Sequence, residues 1–126
     1  MRTTRHVTLA CERCGRAAAE ITLIPAEVAS AAPWSQGDRL ERTDFLGPVT
    51  QFGPYEVLLP LFEQVARRDF DAARERDADL VSFFCWRCRR VYCDQCWTGH
   101  RMTFDDGFYD CMYATCPEGH EQMIDD

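Results

Sequence analysis

Val7-Thr8-Leu9-Ala10 alternates apolar and polar side chains, stops at Cys11-Glu12-Arg13-Cys14-Gly15, and resumes through Ala18-Ala19-Glu20-Ile21-Thr22-Leu23-Ile24. That pattern predicts two strands joined by a tight cysteine turn. Gly15 suits the left-handed backbone that turns N–H groups toward thiolate sulfur. After Pro25 the alternation loosens, and Pro33, Gly37, Gly47, Pro48, Gly53 and Pro54 punctuate short segments such as Arg39–Leu46. A loop with at most one short hairpin is expected there. From Leu61 to Arg76, Phe62, Val65, Ala66, Phe70 and Ala73 recur at helical spacing with charges between them. They predict one amphipathic helix of about four turns, with Pro60 in its first turn and its apolar face on the core. Asp79–Phe84 and Phe108–Ala114 read as short apolar strands.

At 126 residues the chain has the size of one domain. No apolar run reaches the roughly 18 residues of a membrane span, and Met1–His6 leads into no long apolar segment, so a soluble, cytoplasmic protein is expected. Six of the eight cysteines fall in Cys-x2-Cys pairs. Without a secretory signal, that spacing favours metal over a disulfide framework. The formal charge is −7; seven thiolates and two dications would lower it to about −10. Such a chain is a poor match for phosphate backbones or anionic membranes. All fourteen basic residues are arginine, and both lysine and asparagine are absent. Codon bias in a GC-rich genome depletes the two together, and a lysine-free surface also resists modification at lysine.

The densest chemistry lies in Cys85-Trp86-Arg87-Cys88-Arg89-Arg90-Val91-Tyr92-Cys93-Asp94-Gln95-Cys96-Trp97. Each Cys-x2-Cys pair chelates one metal through a single turn. Val91 and Tyr92 favour extended backbone. An extended stretch separates Cys88 from Cys93 by about 16 Å, far beyond the ~2.3 Å at which each thiolate must sit from a shared Zn²⁺. Neighbouring pairs then serve different ions, and the outer ligands are shared between them. Interleaving puts Cys11, Cys14, Cys93 and Cys96 on one ion, with Cys85, Cys88, Cys116 and His120 on the other. A zinc-ribbon pairing of Cys11, Cys14, Cys85 and Cys88, with Cys93, Cys96, Cys116 and His120, uses the same eight ligands and stays open.

The order of these pairs, with four residues between the second and third and an aromatic before Cys93, resembles the cross-brace treble-clef zinc fingers, the RING, FYVE and PHD families. The resemblance covers residues 7–24 and 83–121, with about 70 residues between the first two pairs as a departure. It implies an α+β, zinc-stabilised cross-brace of short β-hairpins, formed by residues 7–24 and 81–126 of a single domain. Residues 25–80 would be an insertion of loop and helix. It further implies a protein-interaction module, RING-like, that docks a ubiquitin-conjugating or similar enzyme as a ligase or adaptor without a catalytic residue of its own. Trp86, Trp97 and Pro117 are the candidate docking residues; Pro117 resembles the proline of the last RING loop. Glu121 and Glu12-Arg13 stand where that comparison expects basic and apolar residues. Ser82-Phe83-Phe84 lacks the basic, histidine-rich stretch of the FYVE family.

Cys111 and His100 remain over, Cys111 as a small core residue and His100 as a substitute ligand if Cys93–Met102 is helical; His6 reads as exposed. Redox pairs of the thioredoxin type stand alone in an α/β pattern, unlike this cluster. Full four-ligand sites leave no position for a hydrolytic water, and no His-Glu-x-x-His motif supplies a base. A non-catalytic, zinc-stabilised component of a larger complex is the alternative function. Elemental analysis of the purified chain is expected to return two zinc ions per molecule, and a value well below two would overturn the metal reading.

Overall fold

β1 (Arg5–Ala10) and β2 (Ala17–Ile24) pair antiparallel around the first cysteine turn, as the alternation predicts. Residues 2–28, 37–44 and 46–125 of this computed structural model are described here. Pro33 and Phe45, counted above among the breakers and the short segments, lie outside them. The stretch expected to be loop does more than form a hairpin. β3 (Arg39–Asp44) pairs with β2, and β4 (Gly47–Phe52) with β3, giving a four-stranded meander in the order β1-β2-β3-β4. Its inward face carries Leu9, Ile21, Leu23 and Leu40, all buried. β3 escapes an alternation search because its next inward position is Arg42 rather than an aliphatic residue.

The single helix expected over residues 61–76 is two. α1 (Tyr55–Ala66) begins earlier and contains Pro60 in its interior, while α2 (Phe70–Arg76) follows a break. Asp38 replaces a conventional cap: its carboxylate accepts the Tyr55 N–H at 2.9 Å and the Ala26 N–H at 2.8 Å. At the other end Arg68 adopts φ +64. Its N–H donates to the Val65 carbonyl and that of Asp69 to the Gln64 carbonyl, a Schellman ending without the usual glycine. The Asp69 side chain then caps α2 through Ala72 N–H. The apolar stripe survives the break, since Phe62, Val65, Phe70 and Ala73 are all buried.

Asp79–Val81 is a 3₁₀ turn instead of a strand, although Leu80 to Cys85 are all buried as an apolar segment should be. Beyond it lie β5 (Phe84–Cys85) and β6 (Arg90–Val91), which pair, and then β7 (Thr98–Asp105), β8 (Phe108–Thr115) and β9 (Glu121–Asp125), which form a three-stranded sheet. A helix over Cys93–Met102 does not form; β7 occupies its second half. Asp106 (φ +50) and Gly107 (φ +84) turn the β7–β8 hairpin, with the positive φ at both central residues that an Asp-Gly pair favours.

The fold is thus mixed, mostly small antiparallel sheets with two helices. One apolar cluster runs through all of it, from Ile21 and Leu23 on the meander through Phe62 and Val65 on α1 to Phe83, Trp97 and Ile124. Residues from the 25–80 stretch therefore share their core with the cysteine-rich part. Among the described residues, no helix is long and apolar enough to cross a membrane.

Arg42 locks the meander to the chain that leads into the cysteine cluster. It is buried, pairs with the buried Asp44 at 3.2 Å and donates to the Asp79 carbonyl. Burial pushes the Asp44 carboxyl up, opposed by Arg42 and by the Leu46 N–H. Arg42→Ala leaves that carboxylate buried and unpaired, and is expected to cost about 3–5 kcal/mol in chemical denaturation of the metal-loaded protein.

Candidate metal centres

Four tight turns present the ligands, and three share one backbone device. In the first, Gly15 at φ +79 follows Cys14 and donates its N–H to the Cys11 carbonyl at 2.9 Å. In the second, Arg89 takes the corresponding place at φ +60 and donates to Cys85 at 2.6 Å. In the last, Gly119 at φ +89 precedes His120 and donates to Cys116 at 2.9 Å. Cys93–Cys96 needs no left-handed residue, because Cys96 and Trp97 both donate to the Cys93 carbonyl as in a helical turn. The left-handed residue after Cys88 has no signal in the sequence, where an arginine stands.

The turns meet in two groups. Cys11, Cys14, Cys93 and Cys96 bring their sulfurs together, as do Cys85, Cys88, Cys116 and the His120 ring, with all ligand atoms of a group within 4.8 Å of one another. This is the interleaved arrangement, and the ribbon pairing is not formed. Within the first group, Cys11–Cys96, Cys14–Cys93 and Cys93–Cys96 lie 3.6, 3.4 and 3.7 Å apart. In the second, Cys88–Cys116 is 3.6 Å, and Nδ1 of His120 lies 3.1, 3.5 and 3.9 Å from Cys88, Cys116 and Cys85. A tetrahedral Zn²⁺ with ~2.3 Å bonds to sulfur and ~2.0 Å to nitrogen spaces its ligands ~3.8 Å (S to S) and ~3.5 Å (S to N). Disulfides, at ~2.05 Å, are far shorter than any of these contacts. Each group could therefore hold one metal ion, and its donors and spacing fit Zn²⁺.

The electrostatics of the bare side chains point the same way. Burial raises the Cys11 thiol, but N–H groups of Cys14, Arg13 and Cys93, with Cys96 beside it, bring it down to about 6. Burial and neighbouring thiols, Cys11 first, push Cys96 up to about 12. In the second group, burial dominates at Cys85 and pushes it up to about 11. At Cys116 burial is outweighed by the His120 and Glu118 N–H groups, and the thiol is lowered. One thiol in each group is thus lowered by backbone N–H groups and another raised, chiefly by burial and then by its neighbouring thiols.

Side chains outside the ligand set bind the turns to the fold. Glu12 donates its N–H to the Val91 carbonyl at 2.9 Å, and its carboxylate accepts the Val91 N–H at 2.6 Å and Arg68 at 3.2 Å. Arg89 makes a two-pronged contact with Asp71 on α2, at 3.1 and 2.6 Å. Gln122, buried on β9, donates to the Ser82 and Phe84 carbonyls. None of these three has a sequence signature, because each partner is a distant backbone group or a helix reached only after folding.

Among the other candidates, Cys111 is 4% exposed and within 3.0 Å of the Thr103 hydroxyl, and belongs to neither group. His100 lies on β7, also outside both groups. His6 is exposed and contacts Thr22 and Thr8. Trp86 stands 40% exposed between Arg74 and Arg87, and Pro117 is half-buried. Trp97 corrects the expectation of a docking residue. It is 1% exposed, its indole N–H donates to the Phe83 carbonyl, and Tyr92 packs edge-on against it, so it belongs to the core.

The pairing is open to a direct test by double substitution. Cys14→Ser/Cys93→Ser is expected to keep one bound metal and Cys14→Ser/Cys88→Ser none, read by metal stoichiometry on the folded fraction. A ribbon pairing reverses the two results.

A family model described as Domain of unknown function (DUF8328) matches residues 1–126, and the chain belongs to that family. No curated protein and no solved structure matches it.

Proposed function

We propose that this member of the DUF8328 family is a zinc-binding protein-interaction module, in which two structural Zn²⁺ ions hold loops whose outer surfaces a partner protein reads. The carrying observation is the interleaved grouping of ligands, Cys11/Cys14/Cys93/Cys96 against Cys85/Cys88/Cys116/His120. Four protein ligands on each ion leave no coordination position for a substrate or an attacking water, so the ions act through folding, not chemistry. The 3.1 Å contact of Cys88 with His120 lies between two ligands of one group, so a bound ion would occupy both instead of leaving a nucleophile and its base.

The interleaving supports a RING-like reading at a finer level. In that reading the chain is an adaptor or ligase that docks a ubiquitin-conjugating or similar enzyme and positions its charged thioester without donating a catalytic group. Trp86, exposed inside the Cys85–Cys88 turn, and Pro117, beside Cys116 in the last turn, would form the docking surface. Both ride on metal-held loops, which are rigid enough to present a shallow face at little entropic cost. The net charge of −7 directs the surface toward protein instead of nucleic acid.

The test uses the zinc-loaded chain with purified activating and conjugating enzymes. Discharge of the charged conjugate is expected to accelerate, and Trp86→Ala to slow it by about tenfold or more. If full zinc content accompanies no discharge with any conjugating enzyme, the module is a non-catalytic component of a larger complex.

A further inference from the structure

The three-stranded sheet ends in β7 on one side and β9 on the other. Every second residue of an outer strand turns its N–H and C=O away from the sheet, and among the described residues no strand meets those of β7. Between Arg101 and Asp105 the strand advances one residue at a time, because the irregularity opposite Thr103 and Phe104 is taken up on β8, where Asp110 is the extra residue. Those five residues read Arg-Met-Thr-Phe-Asp, which is cation, apolar, β-branched, apolar, anion. Met102 and Phe104 are 55% and 63% exposed, and Arg101 and Asp105 are exposed as well. None of the five lines the groove beside Trp86 or the hollow beside Pro117.

We propose that β7 of one copy pairs antiparallel with β7 of a second copy about a two-fold axis at Thr103, joining two three-stranded sheets into one of six strands. Three constraints select that register. Parity comes first: outward N–H and C=O groups alternate along the strand, so two identical edges meet donor to acceptor only when the axis passes through a residue and not between two. Charge comes second. With the axis at Thr103, Arg101 of each copy stands opposite Asp105 of the other; an axis at any other of the five residues does not oppose them, and parallel in-register pairing sets like against like. Side-chain direction is third: Met102 of each copy falls opposite Phe104 of the other, on the same face. Phe104 lies edge to face with Tyr109 at 6.4 Å, and Met102 stands opposite Met112. Two apolar rows then cross the four central strands, Tyr109 and Phe104 of one copy continuing into Met102 and Met112 of the other.

Arg101 already lies 4.5 Å over the Tyr113 ring and holds Glu121 at 3.0 Å through one of its nitrogens. A guanidinium offers five N–H donors in one plane, so an incoming Asp105 joins Glu121 on Arg101 instead of displacing it. Each end of the strand pair then sets two carboxylates on one arginine, with Asp106 falling toward His100 beyond it. The opposite edge of the same sheet is built differently. β9 reads Glu-Gln-Met-Ile-Asp, and pairing it with itself about Met123 sets Glu121 against Asp125 at both ends, with no basic residue in the strand. β9 is thus charged against self-pairing, as outer strands commonly are, while β7 is not. Two copies consume both β7 edges, so assembly stops at the dimer. A five-residue pairing buries little area, and a dissociation constant of about 0.1 mM is expected. The proposal goes beyond the partner surface, since such a dimer carries Trp86 and Pro117 twice without using either.

Sedimentation velocity of the full zinc-loaded chain tests it, run up to about 1 mM at ~0.15 M salt, where repulsion between two acidic chains is screened. The mass is expected to rise from the 14.6 kDa monomer to twice that value and no further. Hydrogen exchange followed over the same range is expected to slow at backbone amides within residues 101–105. Arg101→Asp and Asp105→Arg each oppose like charges at both ends of the pair, and each is expected to weaken the dimer by about tenfold or more. An equimolar mixture of the two variants is expected to restore a one-to-one complex, since every opposed pair is then unlike in sign. Asp105→Arg leaves the Arg101–Glu121 contact intact and remains decisive if Arg101→Asp fails to fold. A monomer throughout the range overturns the proposal, as do growth beyond the dimer, a dimer whose β7 amides gain no protection, association insensitive to Asp105→Arg, or a mixture of folded variants that stays monomeric. Zinc content of two per chain in every sample separates these outcomes from failure of the metal reading. Asp105→Arg leaves Trp86 untouched, so conjugate discharge by it reads the partner proposal independently.

Discussion

Everything in this molecule depends on the crossing of its ligand pairs. Cys85–Cys88 and Cys93–Cys96 are neighbours in sequence but belong to different groups, each completed by a turn from the opposite end of the chain. A turn near residue 12 must therefore come to rest beside residue 94, and the turn at residues 116–120 beside residue 86. Loop closure over such separations costs entropy that a handful of side-chain contacts would not recover. An ion held in each group would offset it, since such a site forms only when the chain folds.

The segment between the first two pairs uses that closure. Because β2 is anchored next to the first turn, β3 and β4 can extend its sheet, and α1 can cover the face formed by Ile21, Leu23 and Leu40. Arg68, within the short break, and Asp71, in the first turn of α2, then reach the first and second cysteine turns through Glu12 and Arg89. These exposed ion pairs carry little energy individually. Their role is geometric, placing the helices where Phe70 stacks on Phe84, the residue immediately before Cys85, at 4.6 Å between rings.

The consequence for function is a division of surfaces. Inside the crossing, Tyr92 and Trp97 are wholly buried and serve the core. Outside it, Trp86 and the β7–β8 tip project large apolar groups into water. Exposed aromatics flanked by charge are where a small acidic protein can form specific contacts.

Residue spacing alone named the eight side chains that gather in two groups, and the reach of an extended Val91-Tyr92 stretch separated the adjacent pairs, because chelating turns and strand lengths are local properties. The first two strands, the apolar helical stripe and the strand at Phe108–Ala114 were legible for the same reason: their periods report which face is buried. Tertiary structure decided what depended on distant partners. The break at Arg68 hides behind an unbroken stripe, since the residue taking the left-handed conformation is not glycine. β3 became a strand because β2 offered it an edge and Asp44 and the Asp79 carbonyl offered its buried Arg42 partners. Trp97 became core and Trp86 surface although each adjoins a ligand, and that choice was made by which side of the crossed turns faced the sheet and helices.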